Sequence, residues 1–204
     1  MLVSYPSDRR LGYQALQELV LARLPSEPFV LVGESFSGPL ACLIAASRPQ
    51  GLQALFLCAS VARSPLRWLT PLAILAAGAV PFHAAPSTGL SWALFGAWAA
   101  PAQVAALRRA LMQTPQAVLQ HRAKEALRVD VTASLACIAV PTFGLRASPD
   151  RILGPSASAR FTAHLPGYRE VVVPGPHALL QAAPRACAAR VVEACKAQGI
   201  ADVS

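Results

Sequence analysis

The chain is short of charge. Charged residues make up 14% of its 204 positions and apolar ones 54%, a balance that excludes a disordered or charge-driven protein. Acidic residues are scarcer than basic ones, 10 against 18, leaving a formal net charge of +8. Lysine is nearly absent, with only Lys124 and Lys196. The arginines are spread thinly from Arg9 to Arg190, and only Arg9–Arg10 and Arg108–Arg109 are adjacent. No basic stripe alternates with aromatic residues, so no nucleic-acid interface is expected and the arginines read as solvated surface.

Residues grouped at metal-ligand spacing are missing too. The cysteines, Cys42, Cys58, Cys137, Cys187 and Cys195, are odd in number and sit among alanine, valine and leucine. They read as small buried hydrophobes in a reducing compartment. No metal site and no cofactor are expected, since no Gly-rich phosphate cradle is present either. The start, "MLVSYPSDRRLGY", lacks a charged stretch followed by an apolar one; no signal peptide is expected, and a cytoplasmic location follows by default. Long hydrophobic runs are also lacking. Trp68 to Leu107 holds no Asp, Glu, Lys or Arg, but prolines at 71, 81, 86 and 101 divide it. A membrane span needs about 20 uninterrupted apolar residues. Short helices covering a pocket fit this stretch better, with a membrane-surface role as the lesser alternative.

What is present alternates. "LVSYP" reads as a short strand, and apolar residues at 13, 16, 19, 20 and 24 predict a helix over 13–24. "PFVLVG" (28–33) and "LQALFLCAS" (52–60) are continuous apolar runs, the mark of strands buried on both faces of a parallel sheet. The segment between them predicts a helix with Pro39 near its first turn. Alternation resumes with a strand over 140–148, a helix over 156–165 and a strand over 169–175. A last helix starts near Pro184 and stops before Gly199. The expected fold is α/β, a mostly parallel sheet flanked by helices. One domain spans 1–204, with a helical cap inserted over residues 62–128.

The chemistry centres on "LVGESFSGPLACLIA". A serine hydroxyl needs an imidazole to take its proton, a carboxylate to orient that imidazole, and N–H donors for the oxyanion. A sharp strand-to-helix turn lifts a serine above the sheet edge and tolerates only small residues two positions to either side. Gly33 and Ser37 flank Ser35 in that way, so the pattern is G-x-S-x-S, with Gly38 one place later than the common form. Ser35 is therefore the candidate nucleophile, and the N–H of Phe36 a candidate oxyanion donor. Asp150 follows the 140–148 strand and His177 the 169–175 strand, both at the edge where a parallel sheet gathers its site. Each alone is open to a plainer reading, as a turn residue, a helix cap or a surface histidine. Together, in the order Ser, Asp, His, they form a candidate triad. Glu34, beside Ser35, either touches the site or steadies the turn. Asp130 reads as a cap or turn residue, and His83, His121 and His164 as structural.

With "VPTFGLRASPDRILGPSA" and "VVVPGPHALLQAAPRACAARVV" added, the sequence resembles the α/β-hydrolases of the small bacterial single-domain type. The resemblance implies Ser35 as nucleophile, Asp150 as acid and His177 as base. It also implies hydrolysis of an ester, thioester or related small acyl compound without a cofactor. By the same resemblance the chain is N-terminally shortened, from a late start or a truncated gene. "LVSYP" matches the family's fourth strand, and the third strand, with its oxyanion-hole loop, has no counterpart. Loss of that donor is worth about 3 kcal/mol of transition-state stabilisation. A catalytically weak or inactive binding module is therefore the alternative, and an exposed sheet edge invites self-association. In the cap, Trp68, Phe82, Trp92, Phe95 and Trp98 are the candidates for an apolar pocket wall.

Overall fold

A computed structural model describes residues 1–66, 70–84 and 87–200. Four parallel strands, β1 (Phe29–Glu34), β2 (Leu52–Cys58), β3 (Thr142–Ser148) and β4 (Arg169–Pro174), lie side by side in chain order. Parallel neighbours need crossover connections, and each is helical. Helix α1 (Tyr13–Leu21) precedes the sheet, and α2 (Ser37–Ala46) joins β1 to β2. Between β2 and β3 come α3 (Thr70–Ala79), α4 (Ser87–Phe95), a 3₁₀ turn (Gly96–Trp98), α5 (Pro101–Gln113), α6 (Gln116–Arg128) and the single turn α7 (Thr132–Leu135). Helix α8 (Ala159–His164) links β3 to β4, and α9 (Leu179–Ala182) and α10 (Pro184–Ala197) close the chain.

The period-two alternation of β2 divides the core. Leu55 and Leu57 face α1, α2, α7 and α8, packing with Leu16, Leu40, Ile44, Leu135 and Phe161. Ala54, Phe56 and Cys58 face the opposite side, towards Cys187 and Cys195 of α10. The central strands β2 and β3 are thus covered on both faces, as their unbroken apolar runs suggest. β1, expected to be equally buried, is an edge strand with Val32 40% exposed, and the other edge, β4, is mostly exposed. Phe56 stacks on Phe143 of β3, with ring centroids 5.1 Å apart.

The expected strand at 2–5 does not form. Residues 1–6 have no regular secondary structure, and β1 pairs only with β2 among the described residues. Side chains satisfy the backbone of this segment instead: Arg23 donates to the Ser4 carbonyl at 3.2 Å and Arg122 to that of Pro6 at 2.8 Å. A cavity of about 450 Å³ separates Leu2, Val3 and Tyr5 from the open edge of β1. Without a partner at strand spacing, an extended stretch has no ladder to join.

Candidate active site

The sheet brings three side chains to one edge. β1 ends at Glu34, and Ser35 follows with φ +49°, a left-handed conformation that a non-glycine residue holds only under constraint. The constraint is a set of hydrogen bonds. The Ser35 N–H donates to the Cys58 carbonyl at 2.9 Å, while the Ser35 carbonyl accepts from the Gly38 N–H at 3.0 Å and the Ser60 hydroxyl at 3.1 Å. The tight turn explains its glycines. A Cβ on Gly33 would lie 2.6 Å from the Ser37 carbonyl oxygen and 2.8 Å from the Ala41 Cβ. A Cβ on Gly38 would overlap the Ser60 side chain. The second small position holds Ser37, whose Oγ accepts from the Tyr5 hydroxyl at 2.7 Å.

His177 lies beyond β4 and its side chain is 3% exposed. Its Nε2 is 2.7 Å from Ser35 Oγ, and its Nδ1 is 2.9 and 3.1 Å from the two carboxylate oxygens of Asp150. A carboxylate only accepts, so Nδ1 carries the proton and Nε2 presents a lone pair to the serine hydroxyl. Asp150, beyond β3, is itself held: the N–H groups of Ile152 and Leu153 each donate to its Oδ1 at 2.8 Å. Burial pushes its carboxyl up. The hydrogen bonds from His177, Leu153 and Ile152 and the charge interaction with His177 outweigh that, and the net shift is downward.

Phe36 opens α2 with φ −51° and ψ −36°. Its N–H lies in the first turn, where helix geometry supplies no acceptor four residues back. Its ring stacks on Tyr13 at 4.8 Å between centroids, and its carbonyl accepts from the Tyr13 hydroxyl at 3.1 Å. The turn is thus gripped on both sides.

Ser35 and His177 open into a cavity of about 400 Å³. Its far wall is formed by Leu94 and Phe95 of α4 and by Ala106, Leu107 and Ala110 of α5. Of the aromatic residues proposed from the sequence, Phe95 lines this cavity, and Phe82, Trp92 and Trp98 do not. Trp92 is 62% exposed and carries the Arg151 guanidinium 4.6 Å above its ring; Trp98 is 44% exposed. Trp68 lies outside the described residues. The aliphatic wall escaped sequence reading, although residues 103, 106, 107 and 110 have the spacing of one helix face.

Asp130 and His83 have structural surroundings. Asp130 accepts from the Thr132 N–H at 3.1 Å and faces Arg63 at 3.4 Å. His83 Nε2 sits 2.9 Å from the Thr114 carbonyl. Among the described residues no cluster of three or more His, Cys, Asp or Glu could hold a metal ion. No described helix is long and apolar enough to cross a membrane.

Several solved structures share this architecture. A hydrolase from Pseudomonas aeruginosa PA01 superposes with a TM-score of 0.75 at 23% identity, over 89% of this chain and 71% of its own. An enol-lactonase from Burkholderia xenovorans LB400 gives 0.76 at 20% identity, over 90% and 73%. MGS-M2, an alpha/beta hydrolase enzyme from a Medee basin deep-sea metagenome library, gives 0.69 at 18%, over 97% and 75%. The chain has the α/β-hydrolase fold. No family model and no curated protein sequence matches it. Within the α/β-hydrolase fold, the edge that carries Ser35, Asp150 and His177 is the C-terminal edge of the parallel sheet, where open α/β sheets bind their ligands.

Proposed function

We propose that this protein is a serine hydrolase that cleaves a small ester or thioester through an acyl-enzyme intermediate. The observation that carries the proposal is the continuous relay from Ser35 Oγ to His177 Nε2, at 2.7 Å, and from His177 Nδ1 to Asp150, at 2.9 Å. As Ser35 Oγ attacks the substrate carbonyl, its proton passes to His177 Nε2, and the Asp150 carboxylate stabilises the resulting imidazolium. The Phe36 N–H donates to the oxyanion of the tetrahedral intermediate. His177 then protonates the leaving alcohol or thiol, and the carbonyl re-forms as the ester of Ser35. Water, deprotonated by His177, repeats the sequence and releases the acid.

The cavity argues for substrate class. A space of about 400 Å³ walled mainly by leucine, phenylalanine and alanine, with Glu34, Gln103 and Gln181 also lining it, suits a small acyl group or a lactone. The enol-lactonase among the fold neighbours makes a cyclic ester a natural first compound to assay.

A fluorophosphonate probe tests the reading, since it labels only a serine activated by its base. The expected result is one adduct on the peptide holding Ser35, absent in Ser35→Ala. Folded protein that neither takes up the probe nor hydrolyses short acyl esters would overturn the proposal and leave a non-catalytic binding module.

A further inference from the structure

The loop carrying His177 is tied down from several directions, and one tie comes from the nucleophile's own strand. Glu34, the last residue of β1, sits immediately before Ser35 and lines the same cavity, and its carboxylate bonds to the segment after His177. Oε1 accepts from the Leu180 N–H at 2.8 Å, and Oε2 accepts from Gln181 Nε2 at 2.8 Å. Both partners lie within four residues of His177, in the single helical turn α9 that follows it, and the Leu179 N–H donates to the His177 carbonyl at 2.8 Å. The same turn is anchored to the pocket wall. The Ala178 N–H donates to the Leu94 carbonyl at 3.0 Å, and Gln103 Nε2 donates to the Gln181 carbonyl at 2.8 Å.

We propose that Glu34 is a positioning residue that locks the base's turn to the nucleophile's strand, setting the 2.7 Å contact between Ser35 and His177. The inference rests on the serine-hydrolase reading. Ser35 and His177 stand 142 residues apart in sequence and follow β1 and β4, strands that do not touch in the sheet. The frame alone therefore fixes their separation only through the two intervening strands. Glu34 supplies a direct bracket one residue from the nucleophile. A half-buried carboxylate must be matched by donors, and here both oxygens are matched by one turn. Because the bracket also bears on Gln181, and through Gln103 on α5, it couples the base to the wall of the substrate cavity.

The test compares Glu34→Ala, Glu34→Gln and Gln181→Ala in ester hydrolysis and in the fluorophosphonate labelling rate. A small displacement of the base costs rate, so Glu34→Ala should lower kcat about 10–100-fold with KM within about twofold. Glu34→Gln keeps an acceptor for the Leu180 N–H and should recover most of the loss. Gln181→Ala, which removes one of the two bonds, should fall between them. Equal kcat in wild type and Glu34→Ala, or a loss that Glu34→Gln fails to rescue, overturns the proposal. A second readout does not require turnover. With ¹⁵N-labelled histidine, the Nδ1 proton of His177 hydrogen-bonded to Asp150 should give a downfield resonance in wild type and Glu34→Gln that broadens or vanishes in Glu34→Ala. An unchanged resonance in Glu34→Ala sinks the bracket by itself. A wild type that neither labels nor turns over while the resonance responds to Glu34→Ala sinks the hydrolase reading and retains the bracket.

Discussion

Ser35 is held in place by its own turn. Its left-handed backbone is unfavourable for a non-glycine residue by about 1–3 kcal/mol, and its own N–H and carbonyl, bonded to Cys58, Gly38 and Ser60, hold it there. Gly38 is the most sensitive position in this arrangement. In Gly38→Ala the new methyl meets the side chain of Ser60, which is 8% exposed and committed to the Ser35 carbonyl. Overpacking of this kind destabilises by about 1–3 kcal/mol. A fall in melting temperature is expected for Gly38→Ala, with partial recovery in the double variant Gly38→Ala/Ser60→Gly. Equal melting curves for Gly38→Ala and wild type would show that the turn has room to spare. The glycines were legible from sequence, because close backbone packing admits few other residues. The partner that demands Gly38, a serine beyond the next strand, was not.

At the scale of elements, α5 walls the cavity beside Ser35 and His177. Ala106, Leu107 and Ala110 repeat at helical spacing on the face turned to Ser35 and His177, and two of the three are as small as a side chain can be. Ala110→Trp places a large ring in a space of about 400 Å³. The proposal predicts that it shortens the preferred acyl chain in a p-nitrophenyl ester series and leaves probe labelling of Ser35 in place. An unaltered chain-length preference would remove α5 from the substrate wall. Aromatic side chains stand out in a sequence as pocket walls because each buries a large area. Trp92, however, stays outside beneath Arg151, and only the placement of α5 beside Ser35 and His177 brings its alanines, themselves exposed, to the cavity. The segment 2–5 makes the same point for strands: an apolar stretch becomes a strand only where a partner lies within hydrogen-bonding distance.

For the whole molecule, two carboxyl groups pull acid stability in opposite directions. Asp150 is depressed in the folded state, so its contribution is fully present above its unfolded pKa, about 3.9, and is lost as pH falls through the lower folded value. Glu34 is raised. Burial drives it up, and the hydrogen bonds from Leu180 and Gln181 and the charge of His177 offset that only in part. The folded protein therefore holds the Glu34 proton more tightly than the unfolded chain, and this gain appears as pH falls through the folded pKa of Glu34. Urea unfolding followed from pH 7 to pH 3 should show the stability gap between wild type and Asp150→Asn narrowing towards acid. A gap of constant size across that range would mean that the depression of Asp150 has no part in acid unfolding.

The sequence by itself determined the layered α/β plan and named the three residues now found in contact. Apolar runs buried on both faces, helical periodicity and turn chemistry are local, and each leaves its mark within a few residues of itself. Ser35, Asp150 and His177 stood out because each follows a strand, and parallel strands end at one edge. Only the tertiary structure decided which helix walls the cavity, where Tyr5 rests, and that Glu34 grips the turn after His177 rather than its own. Those contacts join residues tens to more than a hundred positions apart. Their geometry depends on how helices cross the sheet, and no local pattern records that.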